Sequence, residues 1–226
     1  MILAAGRGER MRPLTDRIPK SLLQVCGKPL IFRHLEKLAD AGFRTVVINH
    51  AHLGDQIEAA VGDGSRWNLS VRFSPEEQAL ETAGGIRNAL ALLREPVFAV
   101  VNADVYSDYD YARIAQAMRK MHSASLAHLV LVDNPPHHPA GDFSLEAGLV
   151  RAGARELLTF SGIGAYRTEL FQPVAAGSKH ALAPLLRAQM GAGKITGEHF
   201  RGEWDDIGTP QRLAELETRL RQTARR

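Results

Sequence analysis

The chain has 226 residues, 45% hydrophobic and 23% charged, with 28 Lys and Arg against 25 Asp and Glu for a formal charge of +3. These are proportions of a folded globular chain rather than a disordered one, and so mild an excess excludes the dense basic stripe of a nucleic-acid coat while suiting a small polyanionic ligand. Cys26 is the sole cysteine, which excludes an intrachain disulfide or cysteine-built metal site and fits a reducing, cytoplasmic location. No apolar run reaches the roughly 18 to 20 residues of a membrane span, and "MILAAG" lacks the basic segment and the length of a secretory signal.

Short apolar runs alternate with amphipathic ones, which predicts an α/β fold with a mostly parallel sheet between helices. Residues 2–5 read as the first strand. It is short for a central parallel strand, so either its outer end is trimmed or the true start lies upstream. Residues 30–41 place Leu30, Ile31, His34, Leu35, Leu38 and Ala41 near one helical face, closed by Gly42. "RTVVINH" follows as a buried strand, "GDQIEAAVGDG" as a short helix, "LSVRFS" as a third strand and "TAGGIRNALALLR" as a helix. "VFAVVNAD" is an apolar strand closed by Asn102 and Asp104; a helix at 110–122, the strand "AHLVLVD", the loop "NPPHHPAGDF" and antiparallel segments around "TFSGIGAY" complete the pattern. With no repeat and no linker in view, residues 1–226 read as one domain, with halves of about 1–108 and 109–226.

In open parallel sheets ligands bind outside the carboxyl ends of the strands, which singles out Gly6, Asn49, Ser74 and Asp104. Cys26, in an apolar stretch, reads as a buried inert thiol. Trp67 and Trp204 read as packing residues, although Trp204, at the head of "WDDIGTP", could also touch a substrate; His137 and His138 read as members of a solvated, proline-bracketed loop rather than a zinc pair.

The stretch "LAAGRGERMRPLTDRIPKSLL" (3–23) is the most informative. A dinucleotide loop would carry a third glycine where Met11 stands, and a ribose-binding carboxylate about twenty residues on; a Walker loop would carry Gly-Lys-Ser/Thr. Neither occurs. What remains is a glycine turn followed by Arg7, Arg10, Arg12, Arg17 and Lys20, in which freed backbone N–H groups and basic side chains can take phosphate oxygens.

With "LETAGGI" (80–86), "VNADV" (101–105), "FSGIGAY" (160–166) and "WDDIGTP" (204–210), this stretch resembles the sugar-1-phosphate nucleotidyltransferases, and the likeness spans nearly the whole chain. Through "INHAHLGDQIEAAVGDGSRWNLSVRFSPE", "HLVLVDNPPHHPAGDF" and "LTFSGIGAY" it is most similar to the short bacterial members that act on N-acetylmuramate-1-phosphate in cell-wall recycling. The resemblance implies a Rossmann-like sheet with a small antiparallel sugar-binding portion. It implies transfer of a uridylyl group from UTP to a sugar-1-phosphate with release of pyrophosphate. The alternatives are a hexose-1-phosphate guanylyl- or thymidylyltransferase, or a non-catalytic nucleotide-sugar sensor. The expected partners are those two small substrates, without nucleic acid or membrane, in a monomer or weak homo-oligomer.

By the same resemblance Ala5, Gly6, Gly8 and Glu9 would present backbone to the nucleotide. Arg10 would bind its β and γ phosphates, and Lys20 would screen the α-phosphate from the incoming phosphate. Glu76, Thr82 and Gly84 would line the base loop. Asn102 would touch ribose or sugar, and Gly141, Asp142 and Gly162 the sugar. Asp104 and Asp206 would hold Mg²⁺, a hard ion that prefers carboxylate and phosphate oxygen. The chain departs from its subgroup where a lysine precedes "LAPLL": Ala181 stands there, with Lys179 two residues earlier.

Overall fold

The fold is that of a computed structural model, which describes residues 1–153 and 156–223. In chain order the strands and helices are β1 (Ile2–Leu3), β2 (Gln24–Val25), β3 (Lys28–Pro29), α1 (Leu30–Asp40), β4 (Thr45–His50), α2 (Gly54–Val61), β5 (Ser70–Pro75), α3 (Glu81–Leu93) and β6 (Val97–Asn102). The second half adds β7 (Val105–Ser107), α4 (Tyr111–Lys120), β8 (Ala127–Val132), β9 (Ser144–Glu146), β10 (Leu149–Arg151), β11 (Thr159–Arg167), α5 (Leu182–Met190), β12 (Ile195–Phe200), β13 (Trp204–Asp206) and α6 (Pro210–Thr223). Every helix and strand expected from periodicity is present, with ends shifted by a few residues; the first strand keeps only two. No described helix is long and apolar enough to cross a membrane.

A nine-stranded sheet in the order β5-β4-β1-β6-β11-β8-β12-β10-β9 runs through both halves. β5, β4, β1 and β6 are parallel, and β11 enters antiparallel between β6 and β8. Successive residues of β6 face opposite sides: Phe98 and Val100 enter one core, with Ile86, Ala89, Leu182 and Leu186 from α3 and α5. Ala99 and Val101 enter the other, with Ile31, Leu35, Ile57 and Ile114 from α1, α2 and α4. A two-residue period in an apolar run is what a strand covered on both faces requires.

Two devices position the glycine-rich loop. Met11 is fully buried in a third cluster with Leu23, Val25, Leu30, Ile207 and Leu216. Burial of such a side chain contributes about 1.5–3 kcal/mol, so the residue that breaks the dinucleotide pattern anchors the loop to α6. Gly8 has φ +70°, and a Cβ there would meet Thr15 and Lys20 at 3.0 and 3.3 Å, which only glycine avoids without strain. Cys26 is exposed, against the expectation of burial. The hairpin β2–β3 turns on Cys26 and Gly27, both at positive φ (49° and 77°); a two-residue turn of that kind holds its first side chain outside the sheet whatever the hydrophobicity around it.

Candidate functional site

β1 pairs with β4 on one side and β6 on the other, so Leu3 is level with both Asn49 and Asn102. The chain moves outward from β1 to β4 and β5, then returns to β6. That reversal leaves a crevice beyond the strand ends, where open α/β sheets bind ligands.

Three connected clefts occupy this edge. The first, of about 210 Å³, is walled by Ala4, Ala5, Gly6, Lys20, Thr82 and Asn102. A second, of about 330 Å³, is bounded by Arg10, Asp104, His137, Gly162, Trp204 and Asp206. The third, of about 400 Å³, is apolar, with Phe143, Phe160, Ala181, Leu182 and Leu186 beside Thr82 and Asp142. Asn102 borders all three.

Residues distant in sequence meet here because β7 pairs antiparallel with β13. Val105 lies opposite Asp206, and the Ile207 amide donates to the Asp104 carbonyl at 2.8 Å. The ribbon thereby sets Asp104 and Asp206 on one cleft. Lys20, delivered by a 3₁₀ turn after Pro19, donates its ammonium to the Asp104 carboxylate with its side chain only 12% exposed. Asp206 Oδ1 accepts from Arg212 Nη1 at 2.5 Å and lies 2.6 Å from His137 Nε2. Two hard carboxylates facing one cleft, each balanced by basic side chains, form a donor set suited to a hard divalent cation. Among the described residues no three His, Cys, Asp or Glu side chains gather as a metal cage, so substrate oxygens would complete such a site.

β11 carries an irregularity opposite β8 between Phe160 and Gly164. Extra residues in one strand re-aim side chains and backbone, and here they turn Ser161 and Gly162 towards the cleft. Gly162 has φ +76°, and a Cβ on it would lie 2.6 Å from Asn102 Nδ2. Trp204 Nε1 donates to the Ser161 carbonyl at 2.9 Å, so Trp204 borders the second cleft instead of serving only as packing. Trp67 does pack, against Phe32 at 5.1 Å between ring centroids.

The loop expected to be merely solvated is tied down. Asn134 Nδ2 donates to the Leu157 carbonyl at 2.8 Å and Asn134 Oδ1 accepts from Thr159 Oγ1 at 2.8 Å. From it His137 reaches Asp206, and His138 lies 3.1 Å from Asp142 Oδ1, while Asp142 Oδ2 accepts from the Phe160 amide at 2.8 Å. Each histidine faces a carboxylate rather than its neighbour.

Other expected site residues stand back from the clefts. Glu76 is 8% exposed, with Oε1 accepting from Asn49 Nδ2 at 2.7 Å and Oε2 from the Leu80 amide at 2.9 Å. Asn49 Oδ1 in turn accepts from the Ala4 amide at 3.0 Å, so the network fixes the backbone lining the first cleft. Gly84 is covered by the segment Ser178–His180, and Gly141 packs on Asn134 and Leu157. Gly8 and Glu9 sit in the loop above, where Glu9 pairs with Arg7 at 2.9 Å. Lys179, 68% exposed, lies 3.7 Å from Glu81 at the rim. Beneath the Ala103–Val105 turn His34 is buried, its Nδ1 2.7 Å from the Tyr111 hydroxyl. Burial, helped by the Lys37 charge, pushes its imidazole down to about 4, so it is neutral at pH 7.

His137, which borders the second cleft, and Arg212, which pairs there with Asp206, are the residues that sequence reasoning missed as functional. Arg212 carries no motif signal beyond its place in the turn that follows "GTP".

Known proteins resemble the chain in sequence and in fold. The chain is 51% identical over 221 residues to N-acetylmuramate alpha-1-phosphate uridylyltransferase of Neisseria meningitidis serogroup B, covering 96% of each chain. It is 35% identical over 233 residues to the protein of the same name from Caulobacter vibrioides, covering 97% and 96%. Among solved structures, HddC from Yersinia pseudotuberculosis complexed with GMP-PN superposes with a TM-score of 0.78 at 22% identity, over 97% of both chains, which is a likeness of fold. The family model described as nucleotidyl transferase matches residues 1–155, and the chain belongs to that family.

Proposed function

We propose that this protein transfers the uridylyl group of UTP to N-acetylmuramate α-1-phosphate, giving the UDP-sugar and pyrophosphate, a step in cell-wall recycling. The observation that carries this reading is the 51% identity over 96% of both chains to a uridylyltransferase of that sugar phosphate, which extends through the sugar-side half.

In this reaction a phosphate oxygen of the sugar-1-phosphate attacks the α-phosphorus of UTP, and the bond to the β-phosphate oxygen breaks. Both reactants are anionic, so the protein's work is to align them and to neutralise charge. Lys20 stands between the first and second clefts, where its ammonium can screen the α-phosphate from the incoming phosphate. Arg10, at the second cleft, takes the departing phosphates. Asn102, shared by all three clefts, orients ribose or sugar hydroxyls. The backbone of Ala5 and Gly6 and the side chain of Thr82 enclose the nucleotide. The apolar third cleft, with Phe143, Phe160 and Leu182, receives the acetyl and lactyl substituents of the sugar. Asp104 and Asp206 would hold a divalent cation, Mg²⁺ by its hardness, which would supply charge neutralisation on the triphosphate.

The test is pyrophosphate release measured across UTP, GTP, dTTP and ATP, each with N-acetylmuramate-1-phosphate, glucose-1-phosphate and mannose-1-phosphate. The UTP and N-acetylmuramate-1-phosphate pair should give the highest kcat/KM. Turnover of mannose-1-phosphate with GTP, with that pair silent, would overturn the assignment.

A further inference from the structure

Arg212 is bound at one end and open at the other. Its backbone sits in the first turn of α6, where its amide is 3.3 Å from Thr209 Oγ1, and its side chain is only 14% exposed. Nη1 donates to Asp206 Oδ1 at 2.5 Å and is 2.7 Å from His137 Nε2, which itself lies 2.6 Å from that carboxylate oxygen. A guanidinium can only donate. If His137 Nε2 carries a proton, two donors face each other; if it does not, two lone pairs do. The triangle of Asp206, Arg212 and His137 therefore has an unfavourable edge in either tautomer.

The other terminal nitrogen lies over Gly208. A Cβ at that residue would be 2.1 Å from Arg212 Nη2 and 3.1 Å from Arg10 Nη2. Two guanidinium groups thus converge on the space above a single glycine beside the second cleft, which Arg10 and Asp206 line, and Arg10 has no carboxylate in ion-pair reach among the described residues. Like charges gathered at the mouth of a cleft are balanced best by an anion that spans them, and the planar donor fork of arginine matches phosphate oxygens in bidentate fashion.

We propose that Arg212 is a phosphate-binding residue of this site, acting with Arg10 as a two-guanidinium clamp on the pyrophosphate end of the nucleotide. Gly208 leaves the space in which the two forks meet. In turning to the phosphate, Arg212 leaves the Asp206 carboxylate available to a cation and relieves the crowded triangle with His137. The clamp holds the leaving group, so it acts on pyrophosphate and on the triphosphate tail of UTP, not on the uridine or its α-phosphate. This inference rests on the proposed uridylyl transfer.

Calorimetric titration with inorganic pyrophosphate and with UMP tests it, on wild type, Arg212→Ala and Arg212→Lys, each checked by thermal melting. Arg212→Ala should weaken pyrophosphate at least tenfold and leave UMP within about twofold, with Arg212→Lys between. Unchanged pyrophosphate affinity, or an equal loss for UMP, would overturn the clamp and leave Arg212 a structural counter-ion of Asp206. A second comparison needs no metal: in EDTA, Asp206→Asn should bind pyrophosphate at least tenfold more tightly than the Asp206→Asn, Arg212→Ala double variant, and equal binding refutes the proposal. Wild type that releases no pyrophosphate from UTP with any sugar phosphate would refute the underlying reading instead, whatever the variants bind.

Discussion

Glu76→Gln separates a base-reading residue from one that braces the site. In the structure Glu76 Oε1 accepts from Asn49 Nδ2 and Oε2 from the Leu80 amide, at 2.7 and 2.9 Å, with the residue 8% exposed. Glutamine offers one oxygen and one NH₂, so one of the two donors would face another donor. Asn49 cannot relieve this by flipping its amide, because its Oδ1 already accepts from the Ala4 amide at 3.0 Å. Nor is there space to turn aside: a Cβ on Gly85 would already lie 2.7 Å from both Asn49 Nδ2 and Glu76 Oε1. A lost bond to a buried charged acceptor, together with an unsatisfied donor, costs about 3 kcal/mol. For a chain of this size that corresponds to roughly 6–12 °C in Tm. Calorimetric melting of wild type and variant, paired with KM for UTP at a temperature where both are folded, reads the two roles apart. A variant that melts with wild type while KM for UTP rises tenfold would refute the bracing role and make Glu76 a base contact.

Two further outcomes follow from named geometry. His34, held neutral with its pKa pushed down to about 4 by burial, binds its proton more readily in the unfolded chain, where its pKa is about 6.5; its contribution to stability is complete above that value and is lost as pH falls towards 4. Denaturant titrations should therefore show wild type losing about 2 kcal/mol more than His34→Gln between pH 7.5 and 5, and parallel pH profiles would count against a neutral His34. Gly162→Ala places a methyl at φ +76°, 2.6 Å from Asn102 Nδ2, costing about 1–2 kcal/mol in backbone strain and displacing the side chain common to the three clefts; kcat/KM should drop at least tenfold with a Tm loss of a few degrees, and wild-type kinetics would remove Asn102 from the site.

Much of the fold was legible because local pattern dictated it. The continuous apolar run of 97–101 specified a strand, and the spacing of Leu30, Ile31, Leu35 and Leu38 specified the buried face of α1. The glycine loop could be separated from the dinucleotide type by Met11 and from the Walker type by the missing Gly-Lys-Ser/Thr, and Met11 is buried in the structure. Asp104 and Asp206 could be named as a pair only through motif resemblance. Neither spacing nor composition places one against the other.

What the sequence determined by itself, then, was the series of elements and the basic, phosphate-seeking character of the loop at 3–23, because periodicity and turn chemistry act over a few residues. Tertiary structure decided the rest. It decided that Cys26 faces solvent on a tight turn, that His137 and His138 each meet a carboxylate, that Glu76 is spent on Asn49 and Leu80, and that Arg212 shares the space above Gly208 with Arg10. The contacts of His137, Glu76 and Arg212 depend on pairings such as β7 with β13 and β4 with β5. Their partners are far apart along the chain, and contacts of that range are selected by the packing of the whole sheet rather than by any stretch of neighbouring residues.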